Sequence, residues 1–121
     1  MSDVKNQGGN KAPADLHNLE EQFGADTTRD LVRAYLEDTD EVLERMQEAI
    51  IGRDSKALKP LAHMLKSASR IVGATELSKY SGEMEDLCID GQSQWLTIES
   101  FFETFTQAFQ FTTEYLRQYL Q

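Results

Sequence analysis

Apolar side chains recur every three or four residues along five successive stretches of this chain, and this spacing limits what it can fold into. Residues spaced in this way share one face of an α-helix, so each stretch predicts an amphipathic helix with one buried side. A β-hairpin would need apolar and polar residues to alternate on both sides of a turn, and no stretch does so. The sequence therefore predicts an all-α protein.

The predicted helices are bounded by Asp, Ser or Thr at their starts and by Gly at most of their ends, which are preferred capping residues. They span residues 15–24, 27–52, 54–72, 75–90 and 93–120. Because the loops that join the four longer helices are short, each helix is expected to run antiparallel to the next. We predict an up-down-up-down four-helix bundle, with the short additional N-terminal helix covering one end.

Residues 1–14 are polar, contain a Gly-Gly pair and Pro13, and carry no periodic apolar set. They are predicted to form a flexible N-terminal tail. Residues 15–121 are then expected to form a single helical domain, because a chain of 121 residues is long enough to bury one continuous core.

The chain carries a formal net charge of −9, and its apolar content of 40% is typical of a globular protein. The negative charge argues against binding to nucleic acid or to an anionic membrane surface, because both need cationic protein surfaces. The single cysteine, Cys88, cannot form an intramolecular disulfide, and no apolar run suits a signal sequence or a membrane span. We therefore expect a cytoplasmic protein with no nucleic-acid or membrane partner.

The third predicted helix carries one of the two histidines of the chain on its polar side. The predicted buried stripe of this helix comprises Leu58, Leu61, Leu65, Ala68 and Val72. At about 100° per residue, His63 points about 200° away from Leu61 and therefore into solvent. The residues expected to share its face are Lys59, Lys66, Ser67 and Arg70.

This face is basic although the chain as a whole is acidic. Its only acidic neighbour in sequence is Asp54, against the basic residues Arg53, Lys56, Lys59, Lys66 and Arg70. A cationic field disfavours the imidazolium form and attracts anions, so it favours a neutral, nucleophilic His63 that meets a phosphoryl group. Most charged helix faces that carry a histidine are nevertheless plain solvated surface.

The short motif around His63 distinguishes it from an ordinary surface histidine. The order is H-x-L-K followed by a small residue, Ser67, and the neighbours Ala62, Ala68 and Ser69 are also small. Small neighbours would allow the backbone of another protein to approach the imidazole ring. The motif therefore favours a site at which a second protein docks.

With these residues the chain resembles the histidine-containing phosphotransfer (HPt) domains of bacterial and eukaryotic phosphorelays. The signature of that family is similar to "AHMLKSASRIVGA" at 62–74. The stretches "LVRAYLEDTDEVLERMQEAI" at 31–50 and "ELSKYSGEMEDL" at 76–87 resemble the helices on either side of the phosphorylated one. The resemblance covers about residues 15–120.

The resemblance implies that His63 accepts and donates the phosphoryl group and that Lys66 contacts its oxygens. It further implies that the partners are response-regulator receiver domains and a sensor hybrid histidine kinase. The receiver aspartate would give or take the phosphoryl group, and Mg²⁺ would be held by the receiver, with no cofactor bound by this chain. The residues expected to contact a partner are Lys59, Met64, Arg70, Leu16 and Leu19.

Two residues depart from the pattern of the family. Ser67 stands where glycine is usual, and its hydroxyl could hydrogen-bond the phosphoryl group or the partner, or could crowd the approach. Pro60 lies inside the third helix, where it removes the hydrogen bond to the carbonyl of Lys56, so we predict a local break one turn before His63. A tolerated proline near a helix start is the alternative.

The other residues that could carry chemistry are predicted to have structural roles. His17 has no basic neighbours and is predicted to be an exposed surface residue. Cys88 is predicted to be a small buried hydrophobe. No Glu-x-x-His pair of the kind used by di-iron bundles is present, so no metal site is predicted. The apolar residues Leu16, Leu19 and Phe23 could pack wholly on the bundle or leave part of their stripe open for docking.

The sequence is therefore interpreted as a histidine phosphotransfer protein of a two-component phosphorelay. It lacks a Walker-type or kinase-type glycine loop, so it is expected to carry phosphoryl groups without autonomous kinase activity. The alternative is a non-transferring module that keeps the bundle and regulates a signalling partner by docking. A di-metal catalytic bundle is a third possibility, for which no ligand set is found.

Overall fold

The computed structural model of the chain describes residues 12–89 and 93–121. Within these residues all regular secondary structure is helical, which confirms the predicted fold class. The helices are α1 (Leu16–Phe23), α2 (Ala25–Asp38), α3 (Val42–Ile51), α4 (Ser55–Ile71), α5 (Thr75–Leu87) and α6 (Trp95–Leu120).

The longer helices pack as a four-sided bundle around one core. Helix α3 packs on α4, α4 on α5 and α5 on α6, and α6 closes the ring against α2 and α3. Every side of the ring contributes side chains with almost no exposed surface, among them Val32, Met46, Leu58, Leu65, Leu77, Met84, Ile98, Phe105 and Leu116. The heavy apolar stripe of α6 therefore meets partners on both neighbouring sides, as the predicted bundle requires.

The second predicted helix, residues 27–52, is two helices separated by a turn at 39–41, so the prediction of one continuous helix is wrong. Buried Thr39 lies at the end of α2, where its hydroxyl donates to the carbonyl of Tyr35 at 2.7 Å and its backbone N–H donates to the same carbonyl at 3.0 Å. The last turn of α2 also carries Glu37 and Asp38, whose negative charges are unfavourable at the negative end of a helix. Together α2 and α3 occupy one side of the bundle.

The break predicted at Pro60 is also wrong, because α4 runs as a single helix through this residue. Proline removes only one backbone hydrogen bond, and here the carbonyl that loses its donor belongs to Lys56. Both residues are exposed, so water can take the place of the missing donor. The remaining turns of α4 are fixed by the buried Leu58, Ala62 and Leu65.

Helix α1 covers the end of the bundle at which α4 ends. The carboxylate of Asp15 caps it by accepting from the backbone of Asn18 at 3.1 Å. The backbone N–H of Asp15 donates to the carbonyl of Gly73 at 3.1 Å, which ties α1 to the turn between α4 and α5. Ala14 is buried and so belongs to the folded domain. Of the rest of the predicted tail, Ala12 is exposed and Pro13 is half-buried, and residues 1–11 fall outside the described residues.

Two further boundaries differ modestly from the prediction. Helix α5 ends at Leu87, and the Gly91 expected to stop it lies outside the described residues. Helix α6 begins at Trp95, two residues later than predicted. In the part of the chain that the structure describes, no helix combines the length and apolar character needed to cross a membrane.

Gly73→Ala is expected to destabilise the fold by about 2 kcal/mol. Gly73 has φ +74°, a conformation that side-chain-bearing residues rarely adopt, and an added Cβ would lie 3.1 Å from the backbone nitrogen of Asp15. Urea unfolding measures the effect. Gly24→Ala meets open space, but its φ of 84° and ψ of 164° lie in a region that is essentially restricted to glycine, so it should also destabilise the fold, whereas Gly52→Ala should cost little because its φ is helical. Equal losses in all three variants would contradict the expectation.

Candidate functional site

Helix α4 carries His63 at its middle and directs it away from the core. The side of α4 that faces the bundle buries Leu58, Ala62, Leu65 and Ser69. The imidazole lies on the opposite side, with 60% of its side-chain surface exposed. This is the solvent-facing position that the helical spacing predicted, and it leaves the ring accessible to a large partner.

A carboxylate from the next helix joins His63 to Lys66. Oε2 of Glu85, on α5, lies 2.9 Å from Nδ1 of His63, and Oε1 lies 2.9 Å from Nζ of Lys66. The Glu85 side chain is 17% exposed and that of Lys66 is 29% exposed, so both are partly withdrawn from solvent. The site is therefore a three-residue cluster in which one carboxylate holds a ring nitrogen and an ammonium at once.

The charge state of Glu85 fixes which nitrogen of His63 is free. The hydrogen bond from Lys66 is the largest cause that holds the pKa of Glu85 below its ordinary value, and a further contribution comes from His63. An ionised carboxylate can only accept hydrogen bonds, so Nδ1 must carry a hydrogen and donate it. The lone pair of the neutral ring then lies on Nε2, the nitrogen that Glu85 does not occupy.

The antiparallel pairing of α4 and α5 brings these residues together. Ala74 lies in the turn between the two helices. His63 is as many residues before Ala74 as Glu85 is after it, and Lys66 is as many residues before it as Gly82 is after it. The hydroxyl of Ser78 fixes the register further by donating to the carbonyl of Lys66 at 2.8 Å. The short turn therefore determines which α5 residues face the histidine.

The basic face predicted around His63 also receives an acidic side chain from another helix. Glu85 is distant in sequence, so an analysis of α4 alone could not place it against the imidazole. Arg53 also leaves the basic set, because it pairs with Glu99 at 3.1 Å and lies over the ring of Trp95. Lys59 and Arg70 are exposed on the face of His63 as predicted.

The motif suggested that small residues near His63 leave room for a partner to approach the ring. The structure shows that most of them face the bundle instead. Ala62 and Ser69 are completely buried, and Ala68 is half-buried. Ser69 instead exchanges a 2.9 Å hydrogen bond with the hydroxyl of Tyr35 on α2. Their small size therefore serves the packing of α4 within the bundle, whereas Ser67 is the small residue that is exposed on the outside.

A shallow groove of about 410 Å³ runs beside the imidazole. His63 and Glu85 form one part of its wall, and the other lining residues are Ser55, Lys56, Lys59, Pro60 and Met64. Met64 keeps 36% of its surface exposed and gives the groove an apolar component. Apolar, cationic and nucleophilic groups therefore adjoin on one accessible face.

The prediction that Leu16 and Leu19 contact a partner is wrong for this structure. They are only 7% and 6% exposed and belong to the core, because α1 turns this stripe towards the rest of the bundle. Phe23, one turn later, is 52% exposed. Of the apolar stripe of α1, only Phe23 is therefore left open.

The remaining candidates do not take part in the cluster around His63. His17 is 84% exposed and lies 3.5 Å from Glu21 on its own helix. Cys88 is buried as predicted, and burial raises the pKa of its thiol. Residues 12–89 and 93–121 contain no group of three or more His, Cys, Asp or Glu side chains that could hold a metal ion.

Glu85→Gln is expected to lower the free energy of unfolding at neutral pH and to lose this effect in acid. The folded-state pKa of Glu85 lies below the ordinary 4.5, so its ionised form stabilises the fold above that pH. The contribution disappears as the pH falls through the folded-state value. Urea unfolding of both proteins across this range measures the difference. Glu83→Gln, at an exposed position of α5, is the matched control, and a pH-independent difference for Glu85→Gln would contradict the expectation.

A comparison with models of known protein families identifies the class to which this fold and site belong. The Hpt domain model matches residues 30–120, which is most of the chain. No curated protein sequence and no solved structure gives a significant match. The chain therefore belongs to the Hpt domain family, whose members carry phosphoryl groups on histidine in phosphorelays.

Proposed function

We propose that this chain carries a phosphoryl group on His63 between the aspartates of response-regulator receiver domains. The observation that supports this most directly is the pairing of Nδ1 of His63 with a carboxylate that also pairs with Lys66, while the imidazole is 60% exposed. A solvated surface histidine needs neither partner. A phosphoryl carrier needs an accessible nucleophile with a fixed tautomer and a nearby cation.

The transfer step follows from this arrangement. The lone pair on Nε2 of His63 attacks the phosphorus of an aspartyl phosphate, and an N–P bond forms as the P–O bond to the aspartate breaks. The electron pair of that bond leaves with the aspartate carboxylate. Nδ1 keeps its proton and its hydrogen bond to Glu85, so no separate base is required, and the positive charge on the phosphorylated ring faces a carboxylate. Donation to a second receiver is the reverse reaction.

Lys66 supplies the positive charge that the phosphoryl oxygens need. Phosphoryl transfer passes through a loose transition state, for which positioning and charge stabilisation are the main sources of catalysis. Lys66 is one turn from His63 on α4 and has a long, flexible stem, so its ammonium can move from Glu85 to the incoming group. Ser67 lies one further residue along and offers a hydroxyl to the phosphoryl group or to the partner.

The face around His63 is suited to a partner with an acidic active site. Lys59 and Arg70 provide positive charge on either side of the imidazole, and Met64 provides apolar contact. The proposed partners are receiver domains, which have such an acidic active site, and a sensor hybrid kinase. Mg²⁺ would be held by the receiver, and this chain would hold no cofactor. The reaction is expected to occur in the cytoplasm without kinase activity of the chain itself.

Incubation with a panel of phosphorylated receiver domains and Mg²⁺ tests this function. Intact mass is expected to rise by one phosphoryl group, and mild acid should remove the group because a phosphoramidate bond is acid-labile. Tight binding of a receiver with no gain in mass would contradict phosphotransfer and favour the docking module. In that outcome Ser67→Gly would establish whether the serine is what prevents transfer.

A further inference from the structure

Gly82 occupies a position of α5 at which glycine is unfavourable for the helix. It lies well inside Thr75–Leu87, where glycine is less stabilising than alanine because its backbone loses more conformational freedom on folding. Its backbone does not use that freedom, since the positive-φ glycines among the described residues are Gly24 and Gly73. The benefit of glycine at position 82 must therefore be the space that a side chain would fill.

The space beside Gly82 is occupied by the stem of Lys66. A Cβ atom at position 82 would lie 3.2 Å from Cδ of Lys66, closer than carbon atoms normally pack. One turn further along α5, Glu85 holds the ammonium of Lys66 at 2.9 Å. The lysine side chain thus crosses α5 at Gly82 and ends at Glu85, so the glycine and the glutamate fix two points of its path.

We infer that Gly82 is a positioning residue for phosphotransfer, because it keeps open the path that holds the Lys66 ammonium beside His63. The inference rests on the proposed function for its effect on transfer, but its structural part concerns Lys66 and Glu85 alone. A side chain at position 82 would displace the lysine stem, by a few tenths of an ångström for a methyl group and further for a longer side chain, and so weaken the contact of its ammonium with Glu85. Transfer would slow although neither residue of the phosphorylated motif had changed.

The steric consequence of a substitution at Gly82 is confined to this lysine. Among the described residues, and apart from the neighbouring backbone of its own helix, Cδ of Lys66 is the only atom within 4 Å of the added Cβ. Gly82 is half-buried, whereas the preceding residue, Ser81, is completely buried and faces the core. A methyl group at 82 therefore leaves the core packing in place and acts on the path of Lys66, and a longer side chain starts from the same half-buried position.

The test compares Gly82→Ala and Gly82→Met with the wild-type chain. Both variants should keep their helix content, because both new residues favour helices more than glycine does, although the weakened Lys66–Glu85 pair offsets the resulting gain in stability. The rate of phosphoryl uptake from a receiver should fall about threefold for alanine and about tenfold for methionine. Both decreases are smaller than the loss of rate that a misplacement of a reacting group by about 1 Å can cause. In parallel, NMR titration of the Glu85 carboxyl should show its pKa rise towards the ordinary value, since its main cation has moved away.

The same substitution in a Lys66→Met chain tests whether Gly82 affects transfer through Lys66. If Gly82 acts through the lysine, adding Gly82→Met to Lys66→Met should not slow uptake further. An unchanged Glu85 titration in Gly82→Met, or an equal additional loss in the Lys66→Met background, would overturn the inference. If wild-type protein takes up no phosphoryl group from any receiver, the proposed function fails, while the Glu85 titration still decides whether Gly82 positions Lys66.

Discussion

His63→Gln is expected to abolish phosphoryl uptake completely and to leave the bundle folded. Glutamine has no ring nitrogen with a lone pair, so no N–P bond can form, whereas its amide keeps a polar side chain of similar size on this exposed face. The side chain at 63 is 60% exposed and contributes little to the core, so the free energy of unfolding should change only slightly. Binding to a receiver should persist, because the groove residues around position 63 remain.

Intact mass after incubation with a phosphorylated receiver measures this effect, and circular dichroism confirms that the variant is folded. His17→Gln is the matched control, since His17 is the second histidine of the chain and is 84% exposed on α1. It should gain one phosphoryl group as the wild-type chain does. Uptake by His63→Gln, or loss of uptake in His17→Gln alone, would contradict the assignment of His63.

Lys66→Met is expected to slow phosphoryl uptake by about 30-fold. This loss of rate is smaller than the one caused by removing a fully buried oxyanion donor, because Lys66 is 29% exposed and its charge is partly screened by water. Methionine keeps an unbranched stem of similar length but removes the ammonium that would face the phosphoryl oxygens. Stability should also fall, since Oε1 of Glu85 is buried and has no other donor among the described residues.

Rapid-mixing measurement of uptake from one receiver separates the rate of transfer from binding. Lys79→Met is the matched control, because it removes the same charge from an exposed position of α5 that does not line the groove beside His63. Its rate should equal that of the wild-type chain. Equal slowing by both substitutions would mean that Lys66 contributes only to the overall field of the protein, which would contradict its proposed contact with the phosphoryl group.

Helical spacing predicted the bundle because each element has a clear apolar stripe, and α4 and α6 appear close to the predicted residues. The two errors concern where helices end. The turn at 39–41 interrupts a stripe that is continuous in sequence, so the spacing of apolar residues alone did not mark the end of α2. Pro60 was expected to break a helix but lies where its lost hydrogen bond faces solvent.

The position of His63 on an exposed face could be predicted from α4 alone, but Glu85 could not. Its contact with the imidazole depends on how α5 packs against α4, which no periodicity within either helix determines. A usable signal was present in the turn, since residues at equal distances from Ala74 face each other in an antiparallel pair. Applied to His63 and Lys66, this rule leads to Glu85 and Gly82.

The most direct test of the account is to locate the phosphoryl group on the phosphorylated protein by NMR of the histidine ring nitrogens. We expect one phosphorylated ring, that of His63, with phosphorus on Nε2 and a proton retained on Nδ1, because Glu85 holds that nitrogen at 2.9 Å. Phosphorus on Nδ1 would contradict the role given to Glu85. Phosphorus on His17 or on a residue other than histidine would contradict the central claim that this chain carries phosphoryl groups on His63.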